Sequence, residues 1–256
     1  MSSPLRVHYF QHIHDEGYGS PESYLRQQGA VISHTAFHKL PKGQPVSALP
    51  NIDDVDLLII MGGSMSVNDE DVYPWLRQEK AWIKAFIEQD KPVVGLCLGG
   101  QLIASSLAAV VRKNEVQELG WWPVYAVPVG KASYPFEVFE FPGQIEVLSW
   151  HGETFELPTG AVLLAGNSAC ARQAYQYKHN VIGFQCHPES TPHALRLYLE
   201  DKDEITEYTG EYVQTAQQLR QTQPARFEPA NQLLNRAIAF VLAVSQQTRE
   251  NRKNIE

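Results

Sequence analysis

The residues best suited to chemistry lie in KPVVGLCLGGQL, residues 91–102. There an apolar run gives way to a helix-like one, with a cysteine at the join. Gly95-Leu96-Cys97-Leu98-Gly99 has the form G-x-C-x-G, the nucleophile-elbow spacing with cysteine in place of serine. Glycines suit such a turn because neighbouring elements come too close for Cβ atoms. At a helix N-terminus a cysteine faces unsatisfied N–H groups and the positive end of the helix dipole, and both favour thiolate. The N–H of Leu98 can also donate to an oxyanion. The competing reading is a buried structural cysteine beside incidental glycines, so partner residues decide.

The best partner follows another apolar strand, in VIGFQCHPES, residues 181–190. Residues i and i+2 of an extended segment project to one side, and Pro188 holds His187 extended. Glu189 can therefore hold one imidazole nitrogen while the other faces a thiol, the logic of a Cys–His–Glu triad. An isolated H-P-E would be read as a surface turn. Joined to a strand-end cysteine in a parallel sheet it gains weight, because ligands of such sheets bind beyond the strands' carboxyl ends. LLIIMGGSMS, residues 57–66, offers a second oxyanion donor: Gly62 or Gly63 can present a bare backbone N–H, and a tight turn there is compatible with that role.

The elements that must position these groups alternate. RVHYFQ, AVISHT, VDLLIIM and KPVVGLC read as strands, the last two as buried parallel ones. SPESYLRQQG reads as a helix with Ser20 as N-cap, Pro21 at the first position and Gly29 as stop. A stripe over 73–87, interrupted only by Glu79, marks a second helix, and GGQLIASSLAAV a third. This order predicts an α/β fold, a flavodoxin-like three-layer sandwich with a mainly parallel central sheet. From 115 to 150 the segments PVYAVPV, FEVFEF and QIEVLSW are short and β-rich, predicting a small antiparallel excursion. Strands AVLLAG, RQAYQY and NVIGFQCH follow, then a helix over 192–199. A polar helix over 205–221 and an amphipathic one carrying Leu233, Leu234, Ala237, Ile238, Val241 and Val244 complete a helical tail. The expected organisation is one domain over 1–200, with 201–256 packed on it.

Composition narrows the class. The 256 residues are 43% hydrophobic with net charge −8, so there is a sizeable core and no basic footprint for nucleic acid or anionic lipid. Cys97, Cys170 and Cys186 are odd in number and far apart, which argues against a disulfide framework, and no CxxC suggests zinc. The N-terminus lacks a signal-peptide core and the apolar runs are too short to span a bilayer. A cytoplasmic protein is expected.

MGGSMSVNDEDVYPWL, GLCLGGQL, ELGWWPV, WHGETFELP and FQCHPE stand in an order that resembles a class I (triad) glutamine amidotransferase domain, within the free-standing group described as GMP-synthase-like. The resemblance covers roughly 6–199. It implies that Cys97 attacks the γ-carboxamide carbon of glutamine, that His187 is base and then acid, and that Glu189 orients it. It implies Gly63 and Leu98 as the oxyanion donors, with Gly62 as an alternative, and Gln101 in the substrate pocket. It also implies that the backbone at Gly120 and Trp121 receives the α-amino and α-carboxylate groups, and that His151 borders the site. No cofactor and no metal are implied. Ser64 stands where many relatives have proline.

A full GMP synthase carries an ATP-pyrophosphatase domain with a glycine-rich loop. The tail offers no such loop and is too short for that domain, so an acceptor of ammonia is expected either on a separate synthetase chain or not at all. Alternative readings are a γ-glutamyl peptide hydrolase acting on glutathione-like compounds, and an idle regulatory or binding subunit. The flavodoxin-like protease and glyoxalase group usually places histidine directly after the cysteine, where Leu98 stands here. HIHDE (His12, His14, Asp15, Glu16) is weighed as a metal cluster and read instead as a polar loop on the pocket rim. Cys186 alternates away from His187 into the core. NDEDVYP, residues 68–74, lacks EF-hand spacing.

Overall fold

The computed structural model describes residues 3–14, 17–130, 133–200, 205 and 207–253. Five parallel strands form one half of a nine-stranded sheet: β1 (Arg6–Gln11), β2 (Val31–Ala36), β3 (Leu57–Ile60), β4 (Val93–Leu96) and β9 (Val181–Phe184). Beyond β9 the sheet turns antiparallel through β8 (Ala174–Tyr177), β7 (Val162–Gly166), β5 (Val111–Ala126) and β6 (Gln144–Phe155). The full order is β2-β1-β3-β4-β9-β8-β7-β5-β6.

The unbroken apolar strands follow from burial on both faces. Leu57 and Ile59 pack with Leu25 of α1 (Pro21–Gln27) and with Leu233, Leu234, Ile238 and Val241 of α6 (Glu228–Lys253). Leu58 and Ile60 pack on the opposite face with Leu76, Ile83 and Phe86 of α2 (Trp75–Glu88) and Leu102 and Ile103 of α3 (Leu98–Ser106). Each such Leu or Ile contributes roughly 1.5–3 kcal/mol of burial. The tail helix α6 thus belongs to the main core. The three-layer sandwich is the one the strand–helix alternation predicts.

Several local expectations need correction. Ser20 does stand at the N-cap of α1 ahead of Pro21, but its side chain makes no cap bond. FEVFEF forms no strand; Val138, Phe139 and Phe141 reach the core from irregular chain, and the Phe139 N–H bonds the Gln176 side chain at 2.8 Å. PVYAVPV is only the end of β5, whose 16 residues pair with β6 in one long hairpin. The polar tail helix shrinks to α5 (Ala216–Arg220), after α4 (Pro192–Leu199), because Leu119 N–H and C=O bond Tyr212 and Gln214 and draw that segment against β5 as an extended strip.

His8 on β1 illustrates the cost of a buried imidazole. Its ring nitrogens lie 2.8 Å from Ser33 Oγ and 2.9 Å from Thr35 Oγ1 on β2. Burial first, and His34 second, push its pKa down to about 4. The folded ring stays neutral while the unfolded one protonates below about 6.5. The unfolded state therefore binds more protons between those values, and stability falls as pH falls through that window, by at most about 3 kcal/mol. Melting temperatures should drop from pH 7 to pH 4.5, and His8→Gln should flatten the slope; parallel curves would refute the assignment.

Candidate active site

Cys97 follows β4 and serves as N-cap of α3, with φ 52° and ψ −108°. A non-glycine residue there is strained by roughly 1–3 kcal/mol. The turn is possible because its flanks carry no side chain. A Cβ on Gly95 would meet the Gly99 backbone at 2.5 Å, and one on Gly99 would meet the Ile60 carbonyl oxygen of β3 at 2.1 Å. The elbow therefore raises a largely buried Cys97 over the carboxyl ends of the strands. Its Sγ lies 3.8 Å from both the Trp150 carbonyl and Gln185 Nε2.

β9 lies beside β4 with Leu96 opposite Phe184, and Cys97 N–H donates to Phe184 O at 2.9 Å. Three residues on, His187 borders the same cavity as Cys97. Its Nδ1 lies 2.7 Å from Glu189 Oε1. The structure thus brings together sulfur, imidazole and carboxylate, groups contributed by residues 97, 187 and 189. Burial opposes charge on His187, but Glu189 and then Cys97 outweigh it, and its pKa stands well above 6.5. Gly19 (φ 65°) allows the chain before α1 to sit on Glu189: a Cβ there would meet Glu189 Cβ at 2.8 Å, and Ser20 N–H donates to Glu189 O at 2.9 Å.

Gly63 lines the cavity beside Cys97. A side chain on it would meet Leu98 Cδ2 at 2.6 Å, so the two expected oxyanion donors adjoin. Leu98 is the first residue of α3, where N–H groups lack intrahelical acceptors. Gly62 is buried behind them, its carbonyl accepting from His12 Nδ1 at 2.9 Å.

Two lobes meet at Cys97. A polar lobe of about 570 Å3 is lined by Ser66, Asp69, Gln101, Lys113, Glu115 and Glu153, among others. The pairing of β5 with β6 slips between Lys113 and Glu118, and this bulge turns residues 113–117 into the lobe. The second lobe, about 500 Å3, is lined by Ile13, Leu148, His187, Tyr198 and Glu207; Trp150 and Tyr208 border both. Burial, then the charge of Cys97, push the Tyr208 phenol up to about 12. Gln101 lines the polar lobe while its amide reaches Gln185 Oε1 at 3.2 Å.

Gly120 and Trp121 are not on the wall of either lobe. Trp121 N–H donates to Gln214 Oε1 at 3.0 Å and Gln214 Nε2 to Trp121 O at 3.3 Å, so a neighbouring side chain already occupies the backbone expected to receive substrate. Gly120 (φ 118°) leaves room for that Gln214 contact. His151 is on the wall, with Nε2 2.8 Å from Glu118 Oε2 and Nδ1 3.0 Å from Glu153 O; it stiffens the site. Buried Glu118 also accepts from Asn167 and Gln173, each at 2.6 Å.

Among the described residues no group of three potential metal ligands occurs; Asp15 and Glu16 of HIHDE lie outside them. His12 is core, and Ile13 lies on the lobe wall. Cys186 is buried on the opposite face, where burial pushes its thiol well up. Gln185 and Tyr208 escape sequence reading. Gln185 shares the i, i+2 side of His187, a signal that alternation could have supplied.

These features place Cys97, His187 and Glu189 beyond the carboxyl ends of two adjacent parallel strands. The family model for glutamine amidotransferase class-I matches residues 21–203, and the chain belongs to that family. A glutamine amidotransferase-like protein of Salmonella typhimurium, YfeJ, is 29% identical over 221 residues, covering 84% of this chain and 90% of that one. One component of the glutamine-hydrolysing GMP synthase of Thermoplasma volcanium is 28% identical over 178 residues, covering 65% of this chain and 82% of that one. The crystal structure of a glutamine amidotransferase from Methylobacillus flagellatus superposes with TM-score 0.81 at 29% identity over 94% of this chain and 95% of that one. Among the described residues no helix is long and apolar enough to cross a membrane.

Proposed function

We propose that this chain hydrolyses the γ-carboxamide of glutamine through a Cys97 γ-glutamyl thioester. The observation that supports it most is His187 on the same cavity wall as Cys97, with Glu189 2.7 Å from its Nδ1. The thiolate attacks the γ-carbon, and the resulting oxyanion is held by the N–H groups of Gly63 and Leu98. Collapse expels ammonia carrying a proton from His187. Water that gives a proton to His187 then attacks the thioester, releasing glutamate and the thiolate. Glu189 holds the ring for both halves. In the polar lobe Lys113 suits the α-carboxylate and Glu115 or Glu153 the α-ammonium, beside Gln101. A separate synthetase chain would accept the ammonia. Alkylation by iodoacetamide should abolish glutamate release and map to Cys97, with glutamine protecting; modification confined to Cys170 or Cys186 would defeat the reading.

A second reading, hydrolysis of larger γ-glutamyl amides, has an observation of its own. His187, which protonates the leaving nitrogen, lines the second lobe, so the leaving amine departs there. That lobe, about 500 Å3 and walled by Leu148, Trp150, Tyr198 and Tyr208, has room for a substituent on the leaving nitrogen. γ-Glutamyl dipeptides with apolar second residues should then show kcat/KM at least about tenfold above glutamine, as one or two buried methylenes permit. Tyr208→Ala should narrow that gap. Equal or lower values for the dipeptides would leave glutamine as the substrate.

A further inference from the structure

We propose that the buried His12–Glu79 pair is a positioning device that sets the Gly62–Gly63 peptide and keeps the oxyanion hole assembled. The inference rests on the thioester reading above and adds a residue pair to it.

Both side chains are fully buried, and His12 Nε2 lies 2.9 Å from Glu79 Oε1. The other ring nitrogen lies 2.9 Å from Gly62 O and 3.1 Å from Met61 O. Carbonyl oxygens only accept, so Nδ1 must carry a proton and donate it. A hydrogen bond joins Nε2 to Oε1. The ring is held from its sides as well, stacked with Phe37 at 5.4 Å and Trp75 at 5.7 Å.

The consequence lies in one peptide plane. In a trans peptide the C=O of residue 62 and the N–H of residue 63 point in opposite directions. His12 draws the Gly62 carbonyl toward the core, which turns the Gly63 N–H to the other side, where Gly63 lines the cavity with Cys97. Two consecutive glycines give this peptide unusual rotational freedom. Turned over, it would present a carbonyl oxygen to the developing negative charge. A hydrogen bond from a stacked imidazole, itself held by Glu79, opposes that rotation.

Stability alone gives little reason for the pair. A buried ion pair can often be replaced by apolar residues of similar volume at no cost, and Phe37 and Trp75 already make this pocket aromatic. Glu79 is the single charged residue in the apolar stripe of α2, buried where the sequence pattern calls for a hydrophobe.

The test is the double variant His12→Phe/Glu79→Leu, which keeps the packing and removes the donor. Its melting temperature should equal or exceed that of the parent. kcat for glutamate release should fall about a hundredfold or more, the loss typical of one oxyanion donor, with KM within about threefold. Alkylation of Cys97 by iodoacetamide builds no oxyanion and should keep its rate. Glu79→Gln retains an acceptor for Nε2–H and should keep at least about a third of the parent kcat. With 15N-glycine labelling, the Gly63 amide resonance should be sharp in the parent and shifted or broadened in the double variant.

A double variant with kcat within about threefold of the parent, or with an unchanged Gly63 resonance, would overturn the proposal. So would one that fails to fold, since the pair would then serve packing. If the parent releases glutamate from neither glutamine nor γ-glutamyl dipeptides, the thioester reading fails, and the Gly63 resonance still decides whether His12 sets the peptide.

Discussion

Cys97→Ala is expected to lose glutamate release by at least about 10⁴-fold in kcat, the scale on which removal of a nucleophile acts. No other thiol can substitute. Cys186 faces the opposite side of its strand and Cys170 is buried beside Thr154, with burial holding both thiols up. Stability should change little, because one sulfur atom is removed at a site adjoining an open cavity. His187→Asn should reach a similar loss, and Glu189→Gln a smaller one, since a neutral acceptor still orients the ring. Continuous measurement of glutamate with purified variants decides it: residual turnover above about 1% in Cys97→Ala would remove the proposed nucleophile.

Gly99→Ala should have the largest effect on folding. Its methyl would stand 2.1 Å from the Ile60 carbonyl oxygen, a backbone atom of the central strand that no rotamer change can move. The loss should reach about 3 kcal/mol or more, in the range of severe overpacking, equivalent to about 6–12 °C in melting temperature for a chain of this size. Gly29→Ala is the control. It has φ 76°, with no atom within 4 Å of an added Cβ, so it bears backbone strain alone and should cost about 1 kcal/mol. If the two variants melt together, close helix–strand approach is not what demands Gly99.

The parallel half of the sheet was legible because burial on both faces leaves unbroken apolar runs, as in VDLLIIM and KPVVGLC. Cys97, His187 and Glu189 were legible for a related reason: each lies at or just beyond the end of such a run. The β5–β6 hairpin was harder. Pro123 and Gly120 read as breaks, yet the strand carries both, Pro123 opposite Glu146 and Gly120 opposite Ser149. FEVFEF has the alternation of a strand without a backbone partner to make it one. Glu79 looked like an interruption of the α2 stripe because its partner, His12, lies 67 residues earlier. Tyr208 was hidden because 205–221 has helical composition, whereas pairing with Leu119 holds part of that segment extended.

Cys97 and His187 each follow one of two adjacent, hydrogen-bonded strands. Their separation is therefore set by sheet spacing, roughly 4.8 Å between neighbours, rather than by the conformation of any connecting loop. The chain running between those strands, residues 97–180, can lengthen or shorten at its surface turns without altering the reach from sulfur to imidazole. Such an arrangement uncouples the invention of new pocket walls from the upkeep of the reaction centre.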